Sequence, residues 1–109
     1  ALDEYNKNVT VKGYSCNVIN KDELTAAYET IKNELGSCDI LINGAGGNQP
    51  GAITSIEMLK KEKEDSDYSF WNLDEDRICD VMDLNYMGTL LPIQVWLKKE
   101  VAVLSILLL

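Results

Sequence analysis

Histidine is absent from all 109 residues, which removes Ser-His-Asp and Cys-His catalysis and the commonest metal ligand together. Cys16, Cys38 and Cys79 form an odd set of three without a Cys-x-x-Cys pair. Neither a zinc site nor a disulfide framework is expected from them, and they read as reduced, buried thiols. What remains for chemistry is a run of small and amide residues, Asn43-Gly44-Ala45-Gly46-Gly47-Asn48, and a later asparagine in Asp83-Leu84-Asn85-Tyr86-Met87-Gly88-Thr89. Glycines there let a backbone approach a ribose or pyrophosphate that a β-carbon would hold off. Taken alone, such a run is equally a turn, and Asn85 on its own reads better as a polar residue at a helix irregularity than as a catalytic group.

The elements around these residues decide between the readings. Val9 to Cys16 is rich in β-branched residues and bounded by polar ones, which predicts a strand. Leu24, Ala27, Tyr28, Ile31 and Leu35 recur at helical spacing, with Asn20 and Glu23 placed to cap the start and Gly36 the end. Asp39-Ile40-Leu41-Ile42 is short and apolar, as in a strand buried on both faces, and it runs straight into the glycine cluster. Strand, helix, strand with a glycine-rich exit predicts a parallel βαβ unit, in which ligands sit beyond the carboxyl ends of the strands. From Gln49 to Phe70 the chain reads as irregular, and residues 51–72 as a charged surface insertion. A further helix is expected from near Asn72 to Asp74 toward Trp96, bent around Gly88 and Pro92, with a strand within Val101 to Leu109. The fold class expected is α/β, part of a doubly wound parallel sheet occupying all of residues 1–109.

Ten basic residues against eighteen acidic ones give a net charge of -8, which works against binding to phosphate backbones, so no nucleic-acid partner is expected. The polar start, Ala1 to Asn6, is unlike a signal peptide. The apolar end is separated from the preceding apolar run by Lys98-Lys99-Glu100 and is too short for a membrane span. A cytoplasmic protein without a membrane partner is the expectation.

The buried strand, its Asn43-Gly44-Ala45-Gly46 exit and the helical Asn85-Tyr86-Met87-Gly88 resemble the short-chain dehydrogenase/reductase family, whose pattern is Asn-Asn-Ala-Gly followed by Asn-x-x-Gly. Gly44 departs from that pattern. Together with Gly47-Asn48 and Thr89-Leu90-Leu91-Pro92, the motifs look most like the branch of fructuronate reductase and D-mannonate oxidoreductase. The resemblance implies a Rossmann-type fold of which the third and fourth strands are present, NAD or NADP as cofactor, and a small carbonyl or sugar-acid substrate. It also implies that Asn17 and Val18 hold the adenine, with Asn17 standing where the family has Asp. Asn43, Gly44, Ala45 and Gly46 would support the sheet and line the adenosine ribose, and Asn85 would be the catalytic asparagine that holds a water in the proton relay.

The family's phosphate loop, Thr-Gly-x-x-x-Gly-x-Gly, and its Tyr-x-x-x-Lys pair after the asparagine do not occur in these residues. Tyr28 and Lys32 match the second pattern by letter only, since Tyr28 belongs to the apolar stripe of a helix. Hydride transfer to a carbonyl needs an acid for the developing alkoxide, so the piece alone is expected to be inactive. Two other readings stay open. One is a truncated assembly module, possessing an exposed apolar face of Leu90, Leu91, Ile93, Val95, Trp96 and Leu97 and a tendency to homo-oligomerise. The other is a generic nucleotide-binding domain, against which the missing Gly-Lys-Ser/Thr argues.

Overall fold

The computed structural model describes residues 9–55 and 69–98, and the backbone of 102–104. The first helix, α1 (Lys21–Leu35), has the predicted bounds because both ends are capped by its own sequence. Asn20 Oδ1 accepts from the Asp22 and Glu23 amides at 3.1 and 3.2 Å. Its Nδ2 donates to Glu23 Oε1 at 3.0 Å, while Glu23 Oε2 takes the Asn17 amide at 2.8 Å. These contacts satisfy amides that the first helical turn leaves without partners. At the other end Gly36 turns to φ 90° and donates to the Lys32 carbonyl, a conformation other residue types adopt only with strain.

The buried side of α1, Leu24 and Tyr28, meets Val95 and Trp96 of α3 (Gly88–Leu97), the last of three consecutive helical pieces. Tyr28 and Trp96 stack edge to face with centroids 5.4 Å apart, a geometry that adds to the burial of both rings. Cys16, Val18, Ile31, Cys38, Leu41 and Leu91 pack around them. Burial on this scale contributes about 1.5–3 kcal/mol per large side chain, and it fixes α3 against α1. Tyr28, only 3% exposed, is thus the core residue its spacing predicted.

Strand β1 (Ile40–Ile42) pairs in parallel with β2 (Ala102–Leu104), Leu41 opposite Val103. Parallel neighbours need a crossover, and here it runs through α2 (Glu75–Met82), a π-helical turn (Asp83–Met87) and α3. The α/β class expected from the sequence is therefore present, with β2 lying inside the stretch predicted as a strand; the parallel unit found runs from β1 to β2, not from residues 9–16 through α1 to β1 as predicted.

Several expectations are corrected. Val9 to Cys16 is not a strand: a strand exists through its ladder bonds, and no described residue pairs with this stretch. It is held instead by side chains on α1, Lys12 and Tyr14 both reaching Glu34. β1 is not buried on both faces, since Leu41 faces the core while Ile40 and Ile42 are 66% and 63% exposed. The apolar residues of α3 are not an exposed face either. Val95 and Trp96 are buried, Leu90, Leu91 and Ile93 half-buried, and only Leu97 is open. The thiols are free as expected but none is fully buried, and Cys79 is exposed.

Of the proposed insertion, residues 56–68 lie outside the described residues. On either side of them, Pro50 bridges Ile53, Gly51 is buried, and Phe70–Asn72 forms a 3₁₀ turn. The helix after it starts at an Asp74 cap, as predicted. Among the described residues no three His, Cys, Asp or Glu side chains are placed to hold a metal, and no helix is long and apolar enough to cross a membrane.

Candidate cofactor site

The candidate residues sit in the turn before α1, where β1 ends, and where α2 gives way to α3. β1 delivers Asn43, 5% exposed, whose Nδ2 has no acceptor among the described residues. The glycine cluster follows as an exposed loop. A β-carbon added at Gly44 would meet nothing within 4 Å, so the loop presents bare backbone on that side, as a ribose lying against it requires.

Asn85 lies in the π-turn. There the amides reach back one residue farther than in an α-helix. Its side chain bonds back onto its own helix, Nδ2 donating to the Val81 carbonyl at 2.8 Å. The same Nδ2 donates to the Gly47 carbonyl at 2.7 Å, and Oδ1 accepts from the Gly47 amide at 3.0 Å. The asparagine and the glycine loop, singled out separately in the sequence, are thus joined by a reciprocal pair of bonds.

Val18 completes the arrangement. A β-carbon at Gly88 would lie 3.1 Å from Val18 Cγ2 and 3.8 Å from Ala45 Cβ. Gly88 therefore lets the turn after residue 16, the glycine loop and α3 close onto one another. Asn17 stands beside Val18 in that turn, its Oδ1 accepting from the Ile19 amide at 3.1 Å and its carbonyl from the Asn20 amide at 3.0 Å. Asn17, Val18, Ala45 and Asn85 are brought to one end of the unit, with Gly44 and Gly46 on the loop between them.

Sequence reasoning passed over Gln49. Its Nε2 donates to the Arg77 carbonyl at 3.1 Å and to Asp80 Oδ2 at 3.4 Å, while its Oε1 accepts from the Arg77 guanidinium at 3.2 Å. Gly46, Gly47, Asn48, Gln49, Asp80, Val81 and Leu84 enclose a groove of about 320 Å³ between loop and helix. No local pattern marked Gln49, because its partners are 28 and 31 positions away.

With the motifs joined in this way, the class is defined. Residues 1–102 match the short chain dehydrogenase family, and the chain belongs to it. Among its relatives, an uncharacterized oxidoreductase of Haemophilus influenzae is 41% identical over 87 residues, which are 80% of this chain and 30% of that protein. A 2-dehydro-3-deoxy-D-gluconate 5-dehydrogenase of Formosa agariphila is 47% identical over 69 residues, 62% of this chain and 26% of the relative. A solved Haemophilus structure, proposed to be a D-mannonate oxidoreductase and holding NAD, superposes with a TM-score of 0.79 at 39% identity, covering 84% of this chain and 33% of its own. The likeness to the mannonate branch read from the motifs is thus matched in sequence and in fold. The chain spans about a third of the length of these relatives.

Proposed function

We propose that this chain supplies the adenosine side of a nicotinamide-dinucleotide site, and the relay asparagine, to a short-chain dehydrogenase that reduces the carbonyl of a sugar acid. The observation that carries the reading is the convergence of Val18, the glycine loop and Asn85 at the carboxyl end of β1. The NAD in the Haemophilus neighbour and the sugar acids named for two of the relatives support the cofactor and substrate class.

In this reading Asn17 and Val18 hold the adenine, and Gly44, Ala45 and Gly46 line the ribose with backbone alone. NAD or NADP supplies hydride chemistry when bound. Asn43 braces the sheet beneath the loop. Asn85 has both amide protons committed to the Gly47 and Val81 carbonyls and Oδ1 to the Gly47 amide. A relay water would therefore be held through its remaining acceptor capacity, the second lone pair of Oδ1 or the main-chain carbonyl. The Tyr-x-x-x-Lys pair that would protonate the alkoxide does not follow Asn85 in these residues, so the 109 residues by themselves are expected to bind nucleotide without turnover.

The test is a chimera in which residues 9–98 replace the matching stretch of the Haemophilus relative. It is expected to oxidise D-mannonate with NAD, and Asn85→Ala within it to lose about a hundredfold or more in kcat, the usual scale for a proton-transfer group. An inactive but folded chimera, or an unaffected variant, contradicts the proposal. A second reading, homo-oligomeric assembly, is favoured by the exposure of Phe70, Trp71, Met82 and Tyr86, 62–67% open to solvent.

A further inference from the structure

The glycine loop is fastened to the helix beside it at more than one point, and the fastenings run in opposite directions. Asn85 reaches from the π-turn to Gly47. Gln49 reaches back from the loop to the first turns of α2, meeting the Arg77 carbonyl, the Arg77 guanidinium and Asp80. Beyond Gln49 the chain turns at once, the Ala52 amide bonding to the Gln49 carbonyl at 3.1 Å and the Asp74 amide to the Gly51 carbonyl at 2.9 Å.

Glycine-rich backbone loses more entropy on ordering than any other. Without Gln49, residues 48–50 would be held only from their two ends, at Gly47 and through the Gly51 carbonyl bonded by the Asp74 amide. An anchor between those ends, on α2, removes the freedom that this leaves. Gln49 suits the task because one amide group offers both a donor and an acceptor, and it finds here a carbonyl and carboxylate on one side and a guanidinium on the other. Glutamate would put like charge against Asp80 and oxygen against the Arg77 carbonyl, and methionine would offer neither bond.

We infer that Gln49 is a positioning residue for the dinucleotide loop: by locking residues 48–51 onto α2 it holds Gly46 and Gly47 in the conformation that receives the ribose. This rests on the nucleotide site proposed above. Gln49 touches no reacting atom, and its effect is on the affinity for nucleotide.

The experiment compares the full chain with Gln49→Met, Arg77→Met and the double variant, by amide hydrogen exchange and by NADH fluorescence titration. Gln49→Met is expected to speed exchange at the Ala52 and Asp74 amides about threefold to tenfold, the scale of one or two net hydrogen bonds. Exchange in the middle of α1 stays unchanged. NADH binding weakens by a similar factor. The two substitutions couple, the double variant falling short of the product of the single effects, because both remove the same contact. Unchanged exchange at Ala52 and Asp74, strictly additive effects, or wild-type NADH affinity in Gln49→Met would each overturn the inference. A wild-type chain that binds no NADH sinks the nucleotide-site reading alone, and the exchange data still decide whether Gln49 sets the loop.

Discussion

Asn85 shows how one side chain can serve structure and chemistry together. Its amide donates to the Val81 carbonyl one turn back and grips both polar groups of Gly47. Replacing it by alanine removes all of these bonds and is expected to lower stability by about 2 kcal/mol, measured by urea denaturation. Asn85→Asp is expected to do no better at neutral pH, since a carboxylate would face the Gly47 and Val81 carbonyl oxygens. An aspartate variant as stable as the wild type would show that the donated bonds contribute nothing. At this scale the sequence was partly legible. The glycines and Asn85 announce themselves through type and motif, but Gln49 does not, because its role arises only when a loop folds back on a helix 28 positions later.

Elements were legible where their signals are local. α1 has its periodicity, its Asn20 cap and its Gly36 stop within a single stretch of chain, and all three appear as predicted. Asn20→Ala is accordingly expected to destabilise the chain by about 1 kcal/mol, read as a lower thermal midpoint. The 9–16 stretch was misread because β-branched composition reports a liking for extended backbone, whereas a strand also needs a neighbour. That stretch is tied to α1 through Lys12, Tyr14 and Glu34, with Lys12 Nζ 2.6 Å from Glu34 Oε2. The hydrogen bond from Lys12, then that from Tyr14, holds the Glu34 carboxyl below its ordinary value of 4.5. The bond to Glu34 raises Lys12 above 10.5. A depressed carboxyl stabilises above 4.5 and ceases to as pH falls through its lowered value. A raised ammonium stabilises below 10.5 and ceases to as pH climbs beyond it. Docking of 9–16 on α1, followed by NMR contacts from the Tyr14 ring, should therefore weaken at both extremes. The acid limb should vanish in Glu34→Gln, and its persistence there would assign it to another group. Both ends are exposed, so added salt should weaken the docking as well.

For the whole molecule, the α/β class followed from the order of apolar and glycine-rich segments, which is a property of the chain as a line, but the crossover that forms is the one after the glycine loop and not the one through α1. Burial did not follow, because it depends on what lies across each face. Ile40 and Ile42 are open on the side of β1 away from α1, and Phe70 stacks edge to face on Trp71 with centroids 5.4 Å apart while both stay exposed. Apolar surface left open in this way drives association. Sedimentation is expected to show species heavier than the 12.2 kDa chain as concentration rises, and Phe70→Ser with Trp71→Ser to reduce them. A concentration-independent monomer would contradict the assembly reading while leaving the cofactor site untouched. The central claim, that β1, its glycine loop and the turn at Val18 form the adenosine side of a dinucleotide site, is tested most directly by mapping amide chemical shifts during an NADH titration. Shifts concentrated at Asn17, Val18 and Gly44 to Gly47, reproduced by adenosine alone, are the predicted result; shifts elsewhere, or none at these amides at saturating nucleotide, would contradict the account.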